Sequence, residues 1–218
     1  DVYKRQDDYV GTVGYKAVEE INGASRVAAV GLEVNFSKVA LDEFIRTNKL
    51  PVLPANRPLL LLWIIRDNRA SGRHFVSDDT APSILGMVTN KLEERGIPVV
   101  FPIYDLQDRM ALSEDNAWEL NAKMLVDASQ RYDSDVIVLL RFYETSSGQV
   151  RGSWLYQHAG RRHLGDARSD NFAQFVSSSF DKIIDEVARH YAYIPQNENK
   201  GIIVMVDGVD TYASHRLL

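Results

Sequence analysis

The chain has 218 residues, 45% of them hydrophobic and 25% charged, with a formal net charge of −5 at pH 7. That suffices for one sizeable domain with smaller pieces beside it, and the acidic balance excludes a nucleic-acid module, which needs a concentrated basic surface. With no cysteine there is neither a disulfide framework nor a thiolate zinc site, and no apolar run reaches the ~18 residues of a spanning helix.

The opening hexapeptide, Asp1-Val2-Tyr3-Lys4-Arg5-Gln6, resembles a translated sequencing-adapter scar, so residues 1–6 are set aside as foreign. The chain lacks an initiator methionine and stops at Leu218 as a new amphipathic segment begins, so it is expected to be cut at both ends. Residues 7–55 read as a β-β-α lead-in. Strands are expected over 9–20 and 26–35, with the hairpin signal Asn22-Gly23 between them. Ser37 is placed to cap a helix running to Asn48, with Val39, Leu41, Phe44 and Ile45 as its apolar face. Pro51 and Pro54 mark the boundary to the main domain, residues 56–194.

The main domain opens on seven consecutive apolar residues, Leu59 to Ile65, between Pro58 and Arg66. Such a run reads as a strand covered on both faces, the mark of a parallel sheet between helices. A polar loop is expected over 68–78. Asp79 or Thr80 then caps a helix with Pro82 in its first turn, lined by Ile84, Leu85, Val88 and Leu92 and stopped by Gly96. The next strand, 98–103, follows at once, so 58–103 form a parallel β-α-β unit. Ser113 opens a further helix through Trp118, Ala122, Leu125, Val126 and Tyr132, and Val136 to Leu140 form another central strand. From Val150 the pattern alternates, giving an antiparallel strand. Ala159-Gly160 turns into a third strand near 161–167. The helix 170–194 is the clearest in the chain, with Phe172, Val176, Phe180, Ile183, Ile184, Val187 and Tyr191 on one face. Residues 195–218 read as a linker and the strand 201–206 of a further unit. The expected class is α/β with an α+β mixed sheet: a parallel β-α-β core, extended by an antiparallel hairpin or meander, with helices packed on the sheet.

Ligands in open α/β sheets gather outside the carboxyl ends of the strands. That singles out Asp67, Asp105, Asp108 and Arg109 as candidate binding residues, with paired carboxylates able to hold a divalent cation or act as acid and base. The plainer reading is that Asp105 caps a short turn while Asp108 pairs with Arg109 or a neighbour in water. It is preferred because neither residue belongs to a catalytic signature. Asp78-Asp79 read as caps. His158 and His163 flank a turn and could form a cross-strand metal pair, yet no third ligand has a recognisable spacing, so solvent-exposed histidine is the preferred reading; the other histidines are His74, His190 and His215. There is no G-x-S-x-G elbow and no G-x-x-x-x-G-K-[ST] loop. No catalytic residue, cofactor or metal is assigned.

Asn56-Arg57-Pro58-Leu59-Leu60-Leu61-Leu62-Trp63, Pro102-Ile103-Tyr104-Asp105-Leu106-Gln107-Asp108-Arg109 and Ala117-Trp118 together resemble a proteobacterial family of envelope proteins, domain of unknown function 2066. The likeness spans roughly 9–212 and takes in Tyr132-Asp133-Ser134-Asp135, Gly152-Ser153-Trp154 and Gly208-Val209-Asp210-Thr211-Tyr212. It implies a periplasmic or envelope location, and it carries over no activity, since the family has none assigned. The chain departs from the family in missing the secretion-signal region and the carboxyl-terminal continuation. The leading expectation is a non-catalytic binding or assembly module for other envelope proteins or cell-wall components, with no nucleic-acid partner and no membrane span. The alternatives are a metal-assisted hydrolase using Asp105 and Asp108 with Asp67, or a small-molecule-binding domain with a pocket of a few hundred cubic ångströms.

Overall fold

A computed structural model describes residues 9–22 and 25–195, leaving the side chains of 18–29 aside. The chain divides into two units: residues 52–193, and the remainder on either side. In the smaller unit β1 (Val10–Asn22) pairs antiparallel with β2 (Ser25–Phe36), as the lead-in pattern requires. The centre of their turn, 23–24, lies outside the described residues, as does the strand expected at 201–206. Helix α1 (Lys38–Thr47) starts at the cap Ser37, whose hydroxyl accepts from the Ala40 N–H, and ends at Asn48. Of its expected apolar face, Val39 points to solvent while Leu41 and Phe44 turn toward the hairpin, where Phe44 meets Tyr9 edge-on.

The larger unit is a six-stranded mixed sheet between two helical layers, so the expected α/β class with an antiparallel extension holds. Strand β3 (Leu60–Asn68) is its axis. It pairs in parallel with β6 (Val136–Glu144), and β6 continues antiparallel into β7 (Val150–His158) and β8 (Arg161–Ser169). Residues Leu60 to Ile65 are all fully buried, which is what a strand covered on both faces must be. Burying each of these side chains contributes roughly 1.5–3 kcal/mol. The even-numbered residues Leu60, Leu62 and Ile64 meet α2 (Pro82–Glu94) and α6 (Phe172–Tyr191). The odd-numbered Leu61, Trp63 and Ile65 meet the opposite layer, made of α3 (Leu106–Ala111), α4 (Glu114–Trp118) and α5 (Ala122–Ser129).

Four local expectations need correction. The stretch 68–78 is no simple loop, for Gly72 at φ 75° turns the chain back as β4 (Gly72–Phe75), antiparallel to β3. Helix α2 begins at Ala81 without a side-chain cap, because Thr80 instead accepts from the Ser77 N–H, 2.8 Å away, and closes the turn before it. The strand expected over 98–103 shrinks to β5 (Val99–Val100). Pro98 and Pro102 have no N–H to donate, and the β3 edge beyond Leu61 is already occupied: the Ile64 N–H donates to the Tyr104 hydroxyl and the Ile64 carbonyl accepts from Val76. Finally, the single helix expected from Ser113 to Tyr132 is broken. Leu120, at φ 55°, ends α4, Asn121 caps α5 through the Met124 N–H, and a 3-10 turn covers Gln130–Tyr132.

Candidate functional site

The acidic residues singled out by the strand-end rule do not converge. Asp105 and Asp108 come together on α3, where the Asp105 carboxylate accepts from the Asp108 N–H at 3.0 Å and so caps the helix. Asp108 is 1% exposed, not solvated, and its partner is not Arg109. It accepts from the Tyr104 N–H at 2.9 Å and from the Tyr132 hydroxyl, and Arg131 stands 3.2 Å away. The same guanidinium donates to Asp105 at 2.9 Å. Arg109 serves the backbone, its Nε donating to the carbonyl of Tyr104, whose φ of 55° needs a local tie. The Asp108 N–H and the Arg131 guanidinium, in that order, hold the Asp105 carboxyl below the usual range, against some opposing desolvation. Burial and the Asp108 carboxylate push the Tyr132 phenol up to about 12. Two carboxylates thus share one guanidinium in a hydrogen-bonded knot that seats α3 and the 3-10 turn, with Tyr104 and Tyr132 edge-on to Trp63.

Asp67 lies elsewhere. It pairs with Arg73 of β4 at 3.5 Å, and Arg73 reaches on to Asp115 of α4 at 2.9 Å while lying over the Trp118 ring. Among the described residues no group of three or more histidine and acidic side chains could hold a metal ion.

The fold draws His158, His163 and His190 together. His163 sits opposite Tyr156, not opposite His158, and α6 brings in His190, whose ring stacks on Tyr156 and stands 5.3 Å from that of His158. His158 Nδ1 donates to the Asp135 carbonyl and His190 Nδ1 to that of Glu186, which commits both rings to structural hydrogen bonds. His215 lies outside the described residues.

The open concavity lies on the face of the sheet that α3–α5 cover only in part. These helices cover β3, β6 and Leu155 of β7, and beside Trp118 the strands β7 and β8 present the exposed Arg151, Asp166 and Arg168. Two rows cross this area in register: Arg141–Ser153–Asp166 and Tyr143–Arg151–Arg168. With Trp118 as a wall they line a cleft of about 540 Å³, within the range of small-molecule sites. Arg141 is fixed, donating to the Trp118 carbonyl and lying over its ring, with Ser153 Oγ 3.4 Å off. The next apolar row ends at Leu164, 63% exposed. The cleft sits toward the carboxyl ends of β3 and β6; Asp67 lies in register beside its Tyr143, whereas Asp105, Asp108 and Arg109 do not line it. The available signal was the alternation of β7, whose wet positions Arg151 and Ser153 recur every second residue.

No protein-family model matches the chain, and no curated protein matches it in sequence. Among solved structures it is similar to lipoprotein GNA1162 from Neisseria meningitidis, at 15% identity and a TM-score of 0.36, over 59% of this chain and 99% of that one. It is also similar to an uncharacterised protein, at 11% identity and 0.26, over 63% and 94%. A competence-damaged protein (CinA) superfamily member from Escherichia coli follows at 14% and 0.30, over 67% and 86%. At these values none assigns a family or an activity. No helix among the described residues is long and apolar enough to cross a membrane.

Proposed function

We propose that the chain is a non-catalytic binding module of the bacterial cell envelope, with residues 56–194 as its main domain, and that it engages an envelope protein or cell-wall component over the bare part of the sheet. The observation that carries this reading is the contrast between the two polar regions. The Asp105, Asp108 and Arg131 side chains are already paired with one another beside a small cavity of about 330 Å³, whereas the cleft beside Trp118 is larger, about 540 Å³, and lined by polar side chains from three strands. Leu164, on the next row, adds one exposed apolar side chain to that surface. Membership of the envelope family, and hence the location, rests on the segments at 56–63, 102–109 and 117–118.

Photo-crosslinking tests it. A crosslinking residue in place of Leu164 is expected to trap a defined partner in envelope preparations, and one in place of Met87, on the opposite helical layer, is not. Equal products from both positions, or none from Leu164, would count against a binding face here.

A further inference from the structure

We propose that the cleft beside Trp118 binds an oxyanion, the phosphate or carboxylate group of an anionic ligand, between Arg151 and Arg168, with the ligand's carbon skeleton against Tyr143. The inference rests on the bare sheet face being a binding surface and names the chemistry it takes.

The register makes the case. Arg151 and Arg168 are directly opposite one another on β7 and β8, on the same face. Like charges in that position destabilise an antiparallel pair. Among the described residues neither guanidinium has a carboxylate within ion-pair distance. Among the described residues no ion pair offsets that repulsion, and an oxyanion between the two would remove it through paired N–H donors of the kind that recognise carboxylate and phosphate.

Two further observations point the same way. Arg141, one row in, adds a third positive charge already held in place by Trp118 and Ser153, so little side-chain freedom remains to be lost on binding. Asp166 is the one carboxylate lining the cleft, against three arginines. This concentration occurs in a chain whose formal net charge is −5, so it does not follow from a basic composition.

The test is calorimetric titration of the full chain at low ionic strength with three probes: inorganic phosphate, glucuronate, and vesicles of phosphatidylglycerol set against vesicles of phosphatidylcholine. Saturable binding of at least one anionic probe is expected, weakened about tenfold or more by either Arg151→Gln or Arg168→Gln, as loss of a charged hydrogen-bonding partner implies. Arg162→Gln, on β8 outside the cleft, is expected to leave binding unchanged. The arms separate the sources: a free phosphate ester, a carboxylate, or a lipid headgroup. Thermal unfolding supplies a second reading, with phosphate raising the Tm of the parent chain and not that of the Arg151→Gln/Arg168→Gln double variant. Absence of binding by all three probes, or binding undiminished in the double variant, overturns the proposal. Leu164 crosslinks that persist after such a failure discard the oxyanion and keep the binding face. Anion binding without Leu164 crosslinks does the reverse.

Discussion

Arg131 stands 3.2 Å from the carboxylate of Asp108, a side chain that is 1% exposed. A carboxylate so placed is tolerable only with its hydrogen bonds made and its charge met. Replacing Arg131 with Met leaves the buried Asp108 carboxyl without its guanidinium partner. The expected loss is about 3 kcal/mol, the low end for breaking a buried pair, since Arg131 itself keeps some solvent contact. Urea denaturation measures it, and a loss under ~1 kcal/mol would mean that the charge is solvated after all.

Two glycines of the sheet hold room for aromatic rings. A Cβ at Gly152 would lie 2.6 Å from Phe175 Cζ and 2.9 Å from Phe142 Cβ, and one at Gly165 would lie 2.8 Å from Trp154 Cη2 and closer still to the rest of that ring. Alanine at either position is expected to cost roughly 1–3 kcal/mol through overpacking. Gly86 is the control of opposite sign. It lies on the exposed side of α2 with nothing within 4 Å of a Cβ, so Gly86→Ala is expected to stabilise by roughly 0.5–1 kcal/mol. Shared direction among the three variants would refute the packing account.

The pH dependence has two flanks. Asp105 is held below its ordinary 3.8, so the unfolded chain takes up its proton first, and stability is expected to fall as pH drops below about 3.8 toward the folded value. Asp105→Asn should flatten that acid flank in a pH series of thermal unfolding. Tyr132 is raised from 10.0 to about 12, so the unfolded chain loses its proton first and stability is expected to fall as pH rises through that interval. A tyrosinate absorbance titration should lose one late-titrating phenol in Tyr132→Phe; an unchanged late phase would show that the assignment is wrong.

Trp63 lies in the middle of β3, and its Nε1 donates to Ser129 Oγ at 3.0 Å in the interior. Ser129→Ala orphans that donor at an expected cost of about 1–3 kcal/mol. Ser129→Thr keeps the hydroxyl and should lose less. If both variants lose equally, packing at Ser129 matters and the hydrogen bond does not.

Comparing sequence with structure, the long elements were legible because their patterns are local. Continuous apolar runs gave β3 and β6, and the three-and-four spacing gave α6, with Phe172 to Tyr191 within the expected 170–194. The Ser37 and Ser113 caps were legible for the same reason, a side chain bonding its own helix three residues on. The misses came from long-range events. Strand β5 is short because Tyr104, from beyond it, takes the Ile64 N–H, and α4 ends early because Leu120 adopts a left-handed conformation that no glycine announces.

The chain by itself determined that a doubly covered sheet exists and which residues form its core, and it set the strand polarity by which one end of the sheet was expected to hold a site. Periodicity and strand polarity are properties of consecutive residues. Which polar groups remain available there was decided by the tertiary structure alone. Asp108 and Arg131 are 23 positions apart and cancel one another, whereas Arg151 and Arg168 are set face to face by the register of two strands. Electrostatic pairing acts across space and leaves no periodic trace in the chain, so the pairing of Asp105 and Asp108 with the distant Arg131, and the gathering of arginines from three strands along the cleft, appear only in the fold.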